Sequence, residues 1–218
     1  MKINLHIADS QRSFTEEARE KIVRGVERAE KYAVPRLKIG KPVDIIAAPE
    51  LPGFLIPEDD MGAYTYNGSF IIICFGKRGI DEDLVFEMVC HELCHAARWQ
   101  INDEPMKNLF DSMILEGLAV CFEEQATKEQ ATKEFFLHTM LERSDAENAE
   151  ILERIGDDLD KNCYDYFTFE DKERGIPRRA GYSVGYYLVK EYLAKVGKSV
   201  EEVFAEPFDS FRADRSHI

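Results

Sequence analysis

The run "DLVFEMVCHELCHAARWQ", residues 83–100, constrains this chain more than any other stretch. Asp81 and the acids behind it open a helix that continues through Ile101, and "NDEP" breaks it. Four residues along a helix rise about 6 Å and turn slightly more than once, so His91 and His95 project from one face. Two imidazoles at that spacing can bind one metal ion. Glu92 sits about 100° further round, at the edge of the same face, where it can reach a water at the ion without occupying a coordination position. The spacing His-Glu-x-x-His is the zinc-peptidase helix pattern.

A hydrolytic zinc site needs three protein ligands and one open position. Glu116 is the expected third ligand. It follows His95 across the "INDEP" break, so a second helix, read as beginning in "MKNLFDSMILEGLAVCFEEQA" with Pro105 in its first turn, can fold back beside the first. Gly117 allows close helix approach, and Leu115, Leu118 and Ala119 make the surrounding face apolar. A carboxylate there needs a partner, and a cation supplies one. Glu123 and Glu124 read as part of a solvated face, and Asp103 and Glu104 lie too near the break.

The cysteines invite two other readings. Cys90 and Cys94 are also four apart, but on a face displaced by about 100°, so two thiols and two imidazoles cannot converge on one ion. "CHELCH" resembles a haem-attachment motif with one residue too many, and that chemistry belongs to exported proteins. The N-terminus "MKINLHIADSQRSF" has no apolar core of a secretory signal, so the expected compartment is the cytoplasm. Five cysteines, an odd number, then read as free thiols, with Cys90 and Cys94 buried and unreactive. Lys and Arg total 28 against 42 Asp and Glu, a net charge of −14 that repels phosphate backbones and anionic lipid. Neither nucleic acid nor membrane is an expected partner, and the longest apolar run, "FIIICF", is far too short to span a bilayer.

Around the helix the order is strands first, then helices. "INLHIAD" reads as a strand. "SFTEEAREKIVRGVERAEKYAV" reads as a helix capped by Ser13 or Thr15 and stopped by Pro35. "KPVDIIAAP" is a second strand and "LPGFLIPEDDMG" a loop. "AYTYNGSFIIICF" is a hairpin with Asn67-Gly68 as its turn. From "KEFFLHTMLER" to "GDDLDK" the pattern is helical and charged, with the acids of "GDDLDK" solvated. An aromatic loop follows, then a long helix, "RRAGYSVGYYLVKEYLAKVG". The expected class is α+β, a single domain with a sheet-containing part over residues 1–80 and a helical part over 81–218.

In that order, "HELCHAAR", "ILEGLAVCFEE" and "AGYSVGYYLVKEYL" resemble an uncharacterised bacterial family described as predicted zinc-dependent proteases. That family looks like a divergent branch of the gluzincins, whose ligands are two His and one Glu. The resemblance implies a zincin-like fold, Zn2+ held by His91, His95 and Glu116, Glu92 as general base, and a peptide or protein substrate. Gluzincins commonly add an acid shortly after the ligand glutamate to orient one histidine. Val120 stands four residues after Glu116, which leaves that role to be filled, with Asp111 one possibility.

Two further elements could assist. The oxyanion of a cleaved amide needs a donor besides the metal. Tyr182 is the expected one, with Tyr186, Arg178 and Arg179 as alternatives and aromatic packing as the competing use of the phenols. A strand edge beside the cleft could pair with an extended peptide, and "SFIIICF" is the expected supplier, unless its continuous hydrophobicity marks a central strand. Arg98 and Trp99 should close the end of the helix. His6, His138 and His217 have no partner at ligand spacing. The reading from another class is a metal-binding or interaction protein that turns nothing over.

Overall fold

A computed structural model of the chain describes residues 2–50, 55, 56, 60–132, 140 and 142–212; His138, His217 and much of the expected loop after Glu50 lie outside them. The fold is α+β, a small mixed sheet followed by a mainly helical C-terminal part.

The sheet comprises β1 (Ile3–Ile7), β2 (Val43–Pro49), β3 (Met61–Asn67) and β4 (Phe70–Phe75), in the order β1-β2-β4-β3. β1 and β2 pair in parallel, as do β2 and β4, whereas β3 runs antiparallel to β4. The crossover from β1 to β2 is α1 (Glu16–Arg36), capped by Thr15 Oγ1, which accepts from Ala18 N at 3.1 Å. Pro35 lies in its last turn, and the helix runs one residue beyond it. "FIIICF" therefore lies inside the sheet with neighbours on both sides, which is what a continuous apolar strand serves. The edge strands are β1 and β3, correcting the expectation that "SFIIICF" supplies the edge.

The hairpin is also displaced by one residue. Gly68 and Ser69 form its loop, because Asn67 pairs with Phe70, and Asn67 Oδ1 accepts from Ser69 N at 2.8 Å. Gly68 is needed for closeness: a Cβ there would stand 2.9 Å from Gln100 Cγ and 3.1 Å from Gln100 N. Gln100 sits at the end of α2 (Glu82–Ile101), and its side-chain amide donates to the carbonyls of Gly68 at 2.6 Å and Lys41 at 3.0 Å. The active-site candidate helix is thus fastened to the sheet from its own C-terminal turn. At its other end, Arg28 of α1 binds Glu82 at 2.8 Å and Asp83 at 3.0 Å.

By contacts the chain divides into two compact units, Met1–Asp103 with Phe122–Phe136, and Glu104–Cys121 with Leu137–Ile218. The first contains the sheet, α1, α2 and the second half of α3 (Leu109–Gln130). The second contains the first half of α3, α4 (Asp145–Ile155), α5 (Ala180–Val196) and the short α6 (Val200–Val203). Within that second unit α3 and α5 cross at two glycines. A Cβ on Gly117 would stand 2.2 Å from Gly185 O, and one on Gly185 2.1 Å from Met113 O.

The loop ahead of α5 is fastened by Asp158, which is 9% exposed and so corrects the expectation that "GDDLDK" is solvated throughout. Its carboxylate accepts from Lys161 Nζ at 2.5 Å, Tyr166 OH at 2.5 Å and Arg174 Nη1 at 2.6 Å. Those donors, Lys161 foremost, hold the Asp158 carboxyl well below the usual carboxylate range; burial, then the Asp158 bond, push the Tyr166 phenol up to about 12. A carboxyl whose folded pKa is depressed stabilises the fold above its unfolded value, about 3.9, and loses that contribution as pH falls towards the folded value. Asp158→Asn should therefore remove about 2 kcal/mol at pH 7, or roughly 4–8 °C in Tm for a chain of this size. Thermal unfolding at pH 7 and pH 3 tests this. The gap between variant and wild type should narrow below about pH 4.

Candidate metal centre

α2 begins where Asp81 Oδ1 accepts from Asp83 N at 2.9 Å, and every residue from Leu84 to Arg98 is buried. His91 and Glu92 are 5% exposed and His95 6%. The Nε2 atoms of His91 and His95 lie 3.2 Å apart, with the two rings edge to face at 4.9 Å between centroids. Two nitrogens bound to one tetrahedral zinc at 2.0–2.1 Å would be about 3.3–3.4 Å apart, so the pair fits one ion as it stands. The Trp99 ring lies 6.3 Å from that of His95, at 31°, and Asn102 N caps Arg98 O at 2.7 Å. Arg98 lies buried in the last turn of the helix, and Asn102 is its C-cap.

α3 starts later than the sequence reading places it. Asn108 Oδ1 accepts from Asp111 N at 3.0 Å, and Asp111 Oδ2 accepts from Lys107 N at 2.9 Å. Backbone N–H groups of Leu109 and Phe110 donate to Lys161 O and Leu159 O. These bonds satisfy the donors that a first turn leaves over, so the helix begins at Leu109 and Pro105 stays outside it. Asp111 is occupied as a cap and does not orient a histidine.

That orienting bond comes from Glu123, which is 1% exposed and whose Oε2 is 2.8 Å from His91 Nδ1. The reading of Glu123 as part of a solvated face is wrong. Its neighbour Glu124 is half-buried and pairs with the exposed Lys128 at 2.5 Å. A carboxylate on Nδ1 makes that nitrogen the N–H donor, which leaves a lone pair on Nε2 for an ion. The signal was available: Glu123 stands seven residues after Glu116, two helical turns on and on the same face. Glu116 is half-buried on α3, and the atoms that His91, His95 and Glu116 can offer a metal all lie within 4.8 Å of one another. Two facing imidazole nitrogens and a carboxylate are the donor chemistry of a zinc site with one position open.

Removal of the Glu123 carboxylate should weaken the site without touching a ligand atom. Glu123→Ala is expected to lower zinc affinity by about 10- to 100-fold, measured by competition with a chelating dye. Glu124→Ala should leave it unchanged.

Glu92 is held by the sheet. Thr65 Oγ1 of β3 is 2.6 Å from Glu92 Oε2 and 3.0 Å from Glu92 O, and Thr65 is itself 2% exposed. Sequence reasoning missed Thr65, because nothing local ties a strand residue to one 27 positions away.

Tyr182, the expected oxyanion donor, is half-buried near the start of α5, with its ring edge-on to Phe167 at 5.1 Å between centroids. Tyr186, one turn on, is 5% exposed, and its hydroxyl accepts from Lys190 Nζ at 3.2 Å. Arg178 donates to Thr168 O at 3.2 Å, and Arg179 is buried at the N-cap of α5 with φ of +63°.

The five cysteines form no disulfide; Cys74, Cys90, Cys94 and Cys121 are buried. Burial, then the carboxylates of Glu123 and Glu87, push the Cys90 thiol well up. His6 is an exposed partner of Asp44 at 3.1 Å. Among the described residues no helix is long and apolar enough to cross a membrane.

A family model described as "Predicted Zn-dependent protease (DUF2268)" matches residues 45–213. No curated protein and no solved structure matches the chain.

Proposed function

The chain belongs to this family of predicted Zn-dependent proteases, and from that premise we propose that it is a zinc-dependent peptidase of gluzincin type. In this reading His91, His95 and Glu116 hold the zinc and Glu92 is the general base. The observation that carries it is the pair of Nε2 atoms 3.2 Å apart, with the Glu116 carboxylate in the same 4.8 Å group and the acid of the motif adjacent in sequence.

Zinc bound there would supply Lewis acidity, lowering the pKa of a water towards 7 and polarising a carbonyl. The remaining work is done by the chain. Glu92 takes a proton from the attacking water and returns it to the leaving amine. Glu123 keeps His91 in the tautomer that presents Nε2. Tyr182 offers its phenol to the carbonyl oxygen as charge builds on it. Tyr186, whose hydroxyl accepts from Lys190 Nζ, is the second candidate donor on the same helix. An extended substrate would pair along β3, the edge strand that carries Thr65 beside Glu92.

The test begins with metal content. Purified protein should contain one equivalent of zinc and cleave members of a fluorogenic peptide library, and a chelator should abolish cleavage. Glu116→Ala should lose zinc during dialysis that wild type survives. An unchanged affinity in that variant would place the third ligand elsewhere.

A further inference from the structure

β3 directs its side chains in alternation, and the outcome is uneven. Tyr64 and Tyr66 are 52% and 55% exposed, whereas Thr65 between them is buried against α2. A valine would suit a buried strand position at least as well on packing grounds, because Val and Thr have nearly the same shape and both favour strands. The hydroxyl therefore needs a reason. Its nearer partner is the acid of the metal-binding motif, at 2.6 Å, the length typical of an O–H donating to a carboxylate, with the Glu92 main-chain carbonyl farther off at 3.0 Å.

The two partners differ in stiffness. A β-branched side chain in a strand has a restricted χ1, and β3 is itself paired, with Thr65 opposite Ile71 of β4. Glutamate has three rotatable bonds and, at 5% exposure, little water to hold it. A rigid donor on one oxygen fixes the plane of the carboxylate and leaves Oε1 as the oxygen to meet a water.

We propose that Thr65 is a positioning residue for Glu92, its hydroxyl holding Oε2 so that the sheet edge sets the orientation of the general base. The proposal rests on the peptidase reading above, and two measurements keep the two separable.

The first is kinetic, on the zinc-loaded enzyme with the best peptide of the fluorogenic library. Thr65→Val should lower kcat by about 10- to 100-fold with KM and zinc affinity nearly unchanged, since only the alignment of the base is lost. Thr65→Ser, which restores the hydroxyl, should recover most of it. The second needs no turnover. In denaturant unfolding of the zinc-loaded protein, Thr65→Val should raise the unfolding constant by about tenfold in wild type and by less than about twofold in a Glu92→Ala background. If Thr65→Val does not fold, Thr65→Ala takes its place in both measurements. Wild-type kcat in the variant, failure of serine to rescue it, or an equal unfolding penalty with and without the Glu92 carboxylate would each overturn the proposal. If wild type cleaves no peptide, the peptidase reading falls, and the double-mutant cycle alone decides whether Thr65 holds Glu92.

Discussion

Glu92→Gln should bind zinc as wild type does and lose about 10²- to 10⁴-fold in kcat/KM. Glutamine has nearly the shape of glutamate, and its amide oxygen can still accept from Thr65 Oγ1, so the 2.6 Å contact to the sheet edge survives. None of the three atoms proposed to hold the ion belongs to residue 92. What the change removes is the ability to accept a proton, and the size of the loss is what general-base catalysis ordinarily contributes. Zinc stoichiometry, Tm and peptide hydrolysis should be measured on the same preparation. Unchanged metal content with hydrolysis lost is the expected pattern. Unchanged hydrolysis would remove Glu92 from the mechanism, and a wild type that turns over nothing would favour a metal-binding protein without catalysis.

The largest effect on folding should come from Gly185→Val. In an ordinary helix interior, replacing glycine by a residue with a side chain stabilises or is nearly neutral, since glycine is the poorer helix former by up to about 1 kcal/mol. Here the sign reverses. A Cβ on residue 185 would lie 2.1 Å from Met113 O and 2.8 Å from Met113 C, both backbone atoms of the facing helix, so no side chain can swing aside. α3 and α5 would have to separate by more than an ångström, and the packed second unit around Met113, Gly117 and Val184 would open. The expected outcome is a loss of 4 kcal/mol or more, about 10 °C or more in Tm, or failure to accumulate folded protein. Gly40→Ala is the control, because a Cβ there meets nothing within 4 Å. Equal Tm values for the two variants would show that the crossing tolerates separation.

The candidate metal-binding helix was legible because its information is local. Caps, breaks and the spacing of His91 and His95 act within a few turns, and helical geometry converts that spacing into a shared face without reference to the rest of the chain. Glu116, the proposed third ligand, was picked out for a related reason, as a carboxylate on an apolar face beside a glycine. Its two-turn neighbour Glu123 was misread because "EE" looks like a solvated pair. α3 is buried nearly all round, from Phe110 and Met113 to Phe122 and Ala126, so it has no broad polar face against which to judge one acid. The start of α3 was misplaced because its first N–H groups are satisfied by Leu159 and Lys161, from a distant loop.

Sequence by itself determined the α+β order of elements, the helix with two imidazoles and an acid on adjacent faces, and the family to which the chain belongs. Tertiary structure alone decided which strand of the hairpin lies at a sheet edge, which carboxylate holds His91, and that a threonine grips Glu92. The physical reason is range. Helix periodicity and capping are set by neighbours along the chain, whereas sheet order and buried hydrogen bonds join residues that only packing brings within 3 Å.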